Sequence, residues 1–155
     1  MMDIEKIKEI ISNFSLSLYG KFDFKFEDHG VFPSGSCYMN FSSNIINNRL
    51  ISFTLSEFKV NEEVAYFFIL KVVKTDNVKY EDFEDPNFFL ELWLRKKMMY
   101  NREDFLIFPE RGTIVEQFCA LFKYVESLFE IEELNKIIKG EYWEYMTVDW
   151  SSFGK

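Results

Sequence analysis

His29 is the only histidine of this chain, and Cys37 and Cys119 are its only cysteines. Asp28-His29-Gly30 with Cys37 downstream outlines a Cys/His pair. A nucleophile, however, needs its base at hydrogen-bond reach and a third group to orient that base. Two residues across a turn guarantee neither, and a loop histidine beside a core cysteine is the simpler reading. A closed zinc site takes four Cys or His ligands, and the chain holds three such residues in all. Ser34-Gly35-Ser36 is neither a G-x-S-x-G elbow nor a phosphate loop, and no G-x-x-x-x-G-K-[ST] or G-x-G-x-x-G occurs. Neighbouring carboxylates such as Glu81/Asp82 and Glu132/Glu133 sit in polar stretches, where they read as solvated faces rather than acid–base dyads. These residues predict no enzyme, no metal and no cofactor.

Binding chemistry is better represented. From Glu126 onward, Glu126, Glu130, Glu132, Glu133, Glu141, Glu144 and Asp149 stand against Lys136, Lys139 and Lys155, seven acids less three bases for a local charge of −4. Tyr142, Trp143, Tyr145, Trp150 and Phe153 are interleaved with them. Aromatics mixed with acids suit a hot-spot patch for a basic protein. The candidate contact residues are Glu132, Glu133, Glu141, Tyr142, Glu144, Tyr145 and Asp149. The competing reading is that this tail folds back and buries its tryptophans against a sheet. The two coexist if the tryptophans face in and the acids face out.

The whole chain agrees with that emphasis. Its 155 residues carry a net charge of −8 and a sequence pI near 4.8. Nucleic acid is excluded as a partner, because phosphate binding needs a surplus of Lys and Arg on one face. An anionic membrane surface is disfavoured for the same reason. The acidity steers a basic partner, or simply keeps an aromatic-rich chain in solution. Two cysteines in a chain of this length imply a reducing compartment. The N-terminus lacks the apolar core of a signal peptide, and the longest apolar run, Val64 to Leu70, is too short to span a bilayer. A cytoplasmic location is expected.

The elements that would position such a face follow from periodicity. Nineteen Phe, eight Tyr and three Trp supply a core, each buried ring removing roughly 150–250 Å² from water. Asp3 is a plausible N-cap for an amphipathic helix carrying Ile4, Ile7, Ile10, Ile11 and Phe14. The period then becomes two. Phe22, Phe24 and Phe26 predict a strand, and His29-Gly30 and Pro33-Ser34-Gly35 predict turns. Cys37, Met39 and Phe41 predict a second strand, and Ile51, Phe53 and Leu55 a third. Val64 to Val73 predicts a central strand that must be covered on both sides, since exposed it would invite aggregation. Between Pro86 and Tyr100 the signals conflict: Asp85-Pro86 is helix-start chemistry, while Leu90, Leu92 and Leu94 alternate as in a strand. The balance leans slightly to helix. Phe105 to Phe108 predicts a short strand. Thr113 and Glu116 stand at capping-box spacing ahead of a helical stripe from Ile114 to Phe129. A last helix spans Glu132 to Lys139, with Gly140 as its stop. The expected fold is one α+β domain over residues 1–155. Its antiparallel sheet of about four to six strands packs against an N-terminal helix and C-terminal helices.

Phe105-Leu106-Ile107-Phe108-Pro109-Glu110-Arg111-Gly112, followed by the helix holding Phe118, Leu121, Phe122 and Tyr124, is similar to a strand, Glu-Arg-Gly and aromatic-helix sequence in one family of bacterial immunity proteins. Proteins of this kind neutralise the toxin domains used in contact-dependent and other interbacterial competition. The resemblance stops at Tyr124 and carries over no binding residue. It implies a protein that binds a basic toxin domain one to one, as a monomer rather than a dimer, and needs no catalytic group. Two other classes fit the same size and charge. An acidic secretion chaperone would form a homodimer and hold an extended client. A small-ligand binder would use a Phe-lined pocket.

Overall fold

Alternation of apolar and polar residues sets the sheet, and the computed structural model shows how far each strand runs. It describes residues 5–9, 22–75 and 87–144. Five strands run β1 (Phe24–Val31), β2 (Cys37–Ser43), β3 (Arg49–Val60), β4 (Glu63–Lys74) and β5 (Asn87–Phe89). They lie antiparallel in that order, and a two-residue strand β6 (Leu106–Ile107) also pairs with β4. Helices α1 (Leu90–Lys96), α2 (Ile114–Leu128) and α3 (Glu132–Ile138) and a 3-10 turn at Arg102–Phe105 accompany them. The protein is therefore α+β, with one antiparallel sheet and helices, as the periodicity predicts. Residues 5–9 are helical and bury Ile7. Asp3, Ile4, Ile10, Ile11 and Phe14 lie outside the described residues.

One face of the sheet holds the core. Phe41, Phe53 and Phe68 are in register or adjacent across β2, β3 and β4, and all are buried. α2 contributes Phe118, Leu121, Phe122 and Val125, also buried. Phe122 meets Phe53 at 6.3 Å and Phe68 at 6.0 Å between ring centroids. Burying each such side chain is worth roughly 1.5–3 kcal/mol. The coverage expected on both sides of the central strand is unequal. Phe68, Leu70 and Val72 of β4 are sealed, whereas Ile69, Lys71 and Val73 on its other face are half-buried.

Several local readings change. His29-Gly30 is not a turn; both residues belong to β1, with Gly30 opposite Tyr38. A Cβ on Gly30 would strike the Tyr38 ring, so the glycine admits a cross-strand aromatic rather than a reversal. β1 instead carries a bulge between Phe26 and Asp28, a common device on a strand of this kind. Between residues 86 and 100 both signals are real: Asn87–Phe89 pairs with β4, and the helix begins at Leu90 with Phe89 as N-cap. Asp85 and Pro86 lie outside the described residues. The strand expected over Phe105 to Phe108 shrinks to Leu106–Ile107, because Asn101 caps a 3-10 turn that takes up Phe105. Thr113 is the N-cap of α2, but its side chain makes no capping bond. The side chain of Gln117 holds the approach instead: its Oε1 accepts from Phe108 N, and its Nε2 donates to the carbonyls of Phe108 and Arg111 at 2.8 and 2.7 Å. Asn61 and Glu62, both at positive φ, form the two-residue hairpin joining β3 to β4.

Two helices end in the same way with different residues. After α3, Gly140 at φ 79° donates to Ile137 O and Glu141 donates to Lys136 O, the paired bonds of a Schellman motif. After α1, Met98 at φ 58° donates to Arg95 O and Met99 to Leu94 O. A left-handed residue bearing a Cβ costs about 1–2 kcal/mol, and Met98 is 94% exposed, so its side chain gains almost no packing. Met98→Gly should therefore raise stability by about 0.5–1 kcal/mol after the entropy of the freer unfolded chain is counted. Urea denaturation checks this, and a loss of stability would refute it.

Arg49, at the start of β3, is 4% exposed. Its Nε donates to Ile137 O at 2.8 Å, and two further nitrogens donate to the carbonyls of Asn48 and Tyr142. The guanidinium also lies 4.7 Å from the centroid of the Trp143 ring. This one cation ties the sheet to the end of α3 and to the chain beyond it. Arg49→Met should cost about 3 kcal/mol, the loss of charge-assisted bonds whose carbonyls stay buried. Guanidinium denaturation and a red shift of tryptophan emission measure it.

Candidate functional site

The residues expected to form an acidic contact face split into two groups. Glu133, in the first turn of α3, accepts from Trp93 Nε1 at 3.2 Å and pairs with Lys97 at 3.4 Å. Glu144 pairs with Lys96 at 3.4 Å and is only 17% exposed. The basic end of α1 thus neutralises two of the candidate acids, and both pairs fasten α1 to the C-terminal part of the chain. Glu132 remains at the surface and pairs with Lys136 one turn along the helix at 3.0 Å. Its carboxylate raises the Lys136 ammonium above its ordinary value, with a smaller push from Glu141. Glu141 is exposed, and so is Tyr142 at 44%, while the Tyr142 carbonyl serves Arg49. Tyr145 and Asp149 lie outside the described residues. Trp143 is partly buried against the core, 6.2 Å from Phe88 between ring centroids. The inward fold of the tail is therefore seen at Trp143, and Trp150 lies outside the described residues.

A second acidic feature was not singled out by the sequence. The turn Arg102–Phe105 and α2 enclose a groove of about 320 Å³. Leu106, Ala120, Leu121 and Tyr124 give it apolar walls, and Glu103 and Asp104 stand at its rim. The turn is held at its start, since Asn101 Oδ1 accepts from Glu103 N and Asn101 O accepts from Asp104 N. The opposite wall is held by the three bonds of Gln117. Burial, and then the Asp104 carboxylate, push the Tyr124 phenol above its ordinary value. Glu103 and Asp104 make no ion pair among the described residues. The available signal was the spacing Gln117, Ala120, Leu121 and Tyr124 on α2, a stripe beside the core-facing one.

Two more grooves are present. One, of about 340 Å³ on the half-buried sheet face, is lined by Tyr38, Asn40, Thr54 and Lys71 among others. Another, of about 330 Å³, includes Ile45, Lys139 and Glu141. Phe32 and Phe22 are the only phenylalanines lining these three grooves. The sheet pairs Cys37 with Val31 and His29 with Met39, leaving Cys37 buried and His29 exposed. Burial raises the Cys37 thiol above its ordinary value, opposite to the activation a nucleophile needs. Among the described residues no three His, Cys, Asp or Glu side chains group to hold a metal. No described helix is long and apolar enough to cross a membrane. Arg111, within the Glu-Arg-Gly stretch, clasps Glu63 of β4 with Nε and an Nη and lies over the Phe108 ring.

Tyr100 closes a polar cluster under α1, where Arg95 lies over its ring at 4.1 Å and pairs with the buried Glu91 at 3.8 Å. Burial first, and then Glu91, push the Tyr100 phenol well above its ordinary value, while Arg95 opposes them. A phenol raised in the folded state lends stability that is complete below the unfolded value of about 10 and is lost as pH rises through the folded one. The drop in urea midpoint between about pH 8 and about pH 11 should therefore be smaller in Tyr100→Phe than in wild type; an equal drop would show that Tyr100 titrates as it does unfolded.

Compared with known proteins, the chain matches no family model, no curated protein and no solved structure.

Proposed function

We propose that this chain is an immunity-type protein that neutralises a cognate basic toxin domain by tight one-to-one binding through an acidic face, with no chemistry of its own. The observation that supports the reading is the state of its surface carboxylates. Glu103, Asp104, Glu110, Glu116 and Glu141 are exposed and make no ion pair among the described residues. They stand on or beside the helical layer, which the aromatic core anchors to the sheet. Uncompensated acids on a rigid frame attract a basic partner over distance and speed encounter, and rigidity spares the entropy of ordering a loop on binding. The similarity of Phe105 to Tyr124 to an immunity-protein sequence points the same way.

Co-expression with any toxin domain found encoded beside its gene tests the reading. Survival of the cells and a one-to-one complex by light scattering are expected. Failure to rescue would overturn it, and a homodimer holding an unfolded client would favour a secretion chaperone.

A further inference from the structure

We propose that the groove between the Arg102–Phe105 turn and α2 is the seat for a single lysine or arginine side chain of the partner protein. This deepens the reading above and rests on it for the identity of the partner. Charge complementarity is what selects the occupant. Glu133 and Glu144 are taken up by Lys97 and Lys96, and Glu132 by Lys136, so three of the four described candidate acids of the C-terminal part have a cation beside them and Glu141 alone does not. Glu103 and Asp104 make no ion pair among the described residues. Lys123, the neighbour of Tyr124 in α2, pairs with neither of them; Arg111 feels the charge of Glu103 but closes its ion pair on Glu63.

The shape suits the same occupant. Lys and Arg lay their methylene stems on apolar surface and keep the charged head among polar groups. Leu106, Leu121 and Ala120 offer that surface, and the two carboxylates wait at its edge. At about 320 Å³ the groove is at the small end of ligand clefts, with room for one long side chain rather than a cofactor. The half-buried Tyr124 ring, braced by Phe105 at 5.9 Å, adds an aromatic face for the cation. Burial first, and then the Asp104 carboxylate, raise its phenol, so that negative charge acts on the ring that lines the groove. Asn101 and Gln117 fix both walls in advance, so little is lost in ordering them.

The test uses the whole protein and the peptide acetyl-Leu-Arg-Leu-amide as probe, with acetyl-Leu-Glu-Leu-amide as control. Backbone amide shifts on titration should concentrate at Glu103, Asp104 and Tyr124 with the arginine peptide alone. Glu103→Gln with Asp104→Asn should weaken that peptide about fivefold to tenfold, as expected for two exposed ion pairs. Glu132→Gln with Glu141→Gln should leave it unchanged. Both acids of the groove are exposed, so the double variant should fold, and its thermal unfolding confirms that it does. Shifts centred on Glu132 and Glu141, equal binding of the two peptides, or indifference to the groove variant would each overturn the proposal. The adjacent toxin separates the two readings. If wild type protects and the groove variant protects with the same affinity, the groove fails while the immunity reading stands. If wild type does not protect, that reading fails and the peptide still decides the groove.

Discussion

The structure depends on the contact between three phenylalanines, Phe53 and Phe68 on the sheet and Phe122 on α2. Phe53 and Phe68 lie 5.1 Å apart, and Phe122 sits about 6 Å from each. Phe41 extends the cluster along β2 and Phe118 along the helix, at 5.2 and 5.7 Å from their neighbours. Rings at these distances and tilted angles contribute beyond the area they bury. The cluster also sets the rotation of α2. With Phe118, Phe122 and Val125 turned inward, Gln117, Ala120 and Tyr124 must face the flank, and that flank is one wall of the acidic groove.

Fixing α2 in this way leaves the second half of the chain to be fastened by polar contacts. Arg49 binds backbone carbonyls at the end of α3 and just beyond it. Lys96 and Lys97 at the end of α1 hold Glu144 and Glu133. These contacts join segments far apart in sequence, and each uses a charge that the composition alone would count as surface. A charge so used no longer contributes to a long-range field. The long-range field of a chain with net charge −8 therefore comes chiefly from the acids that the fold leaves unpaired.

The sheet has two different faces. The helical layer seals one, and the other carries half-buried Tyr38, Asn40, Thr54 and Lys71. Its polar lining differs from the apolar walls and free carboxylates near α2, and the two surfaces suit different chemistry.

Amino-acid order by itself determined the strands, the strong helix and the α+β class, because burial on one side of an element repeats every two or every 3.6 residues along the chain. Thr113 to Phe129 was legible for that reason, as were Cys37 to Phe41 and the strand from Val64. Gly30 misled because a glycine that admits Tyr38 across a ladder looks, in one dimension, like a glycine that makes a turn. Residues 87–96 stayed ambiguous because a strand and a helix follow each other there without a break. The candidate acids were legible as a composition but not as a face. Whether Glu133 or Glu103 is ion-paired depends on Lys97 closing on one, while Arg111, which feels the charge of the other, closes on Glu63 instead. Only the tertiary structure decided that, since ion pairing is set by distances in space between residues whose spacing along the chain carries no period.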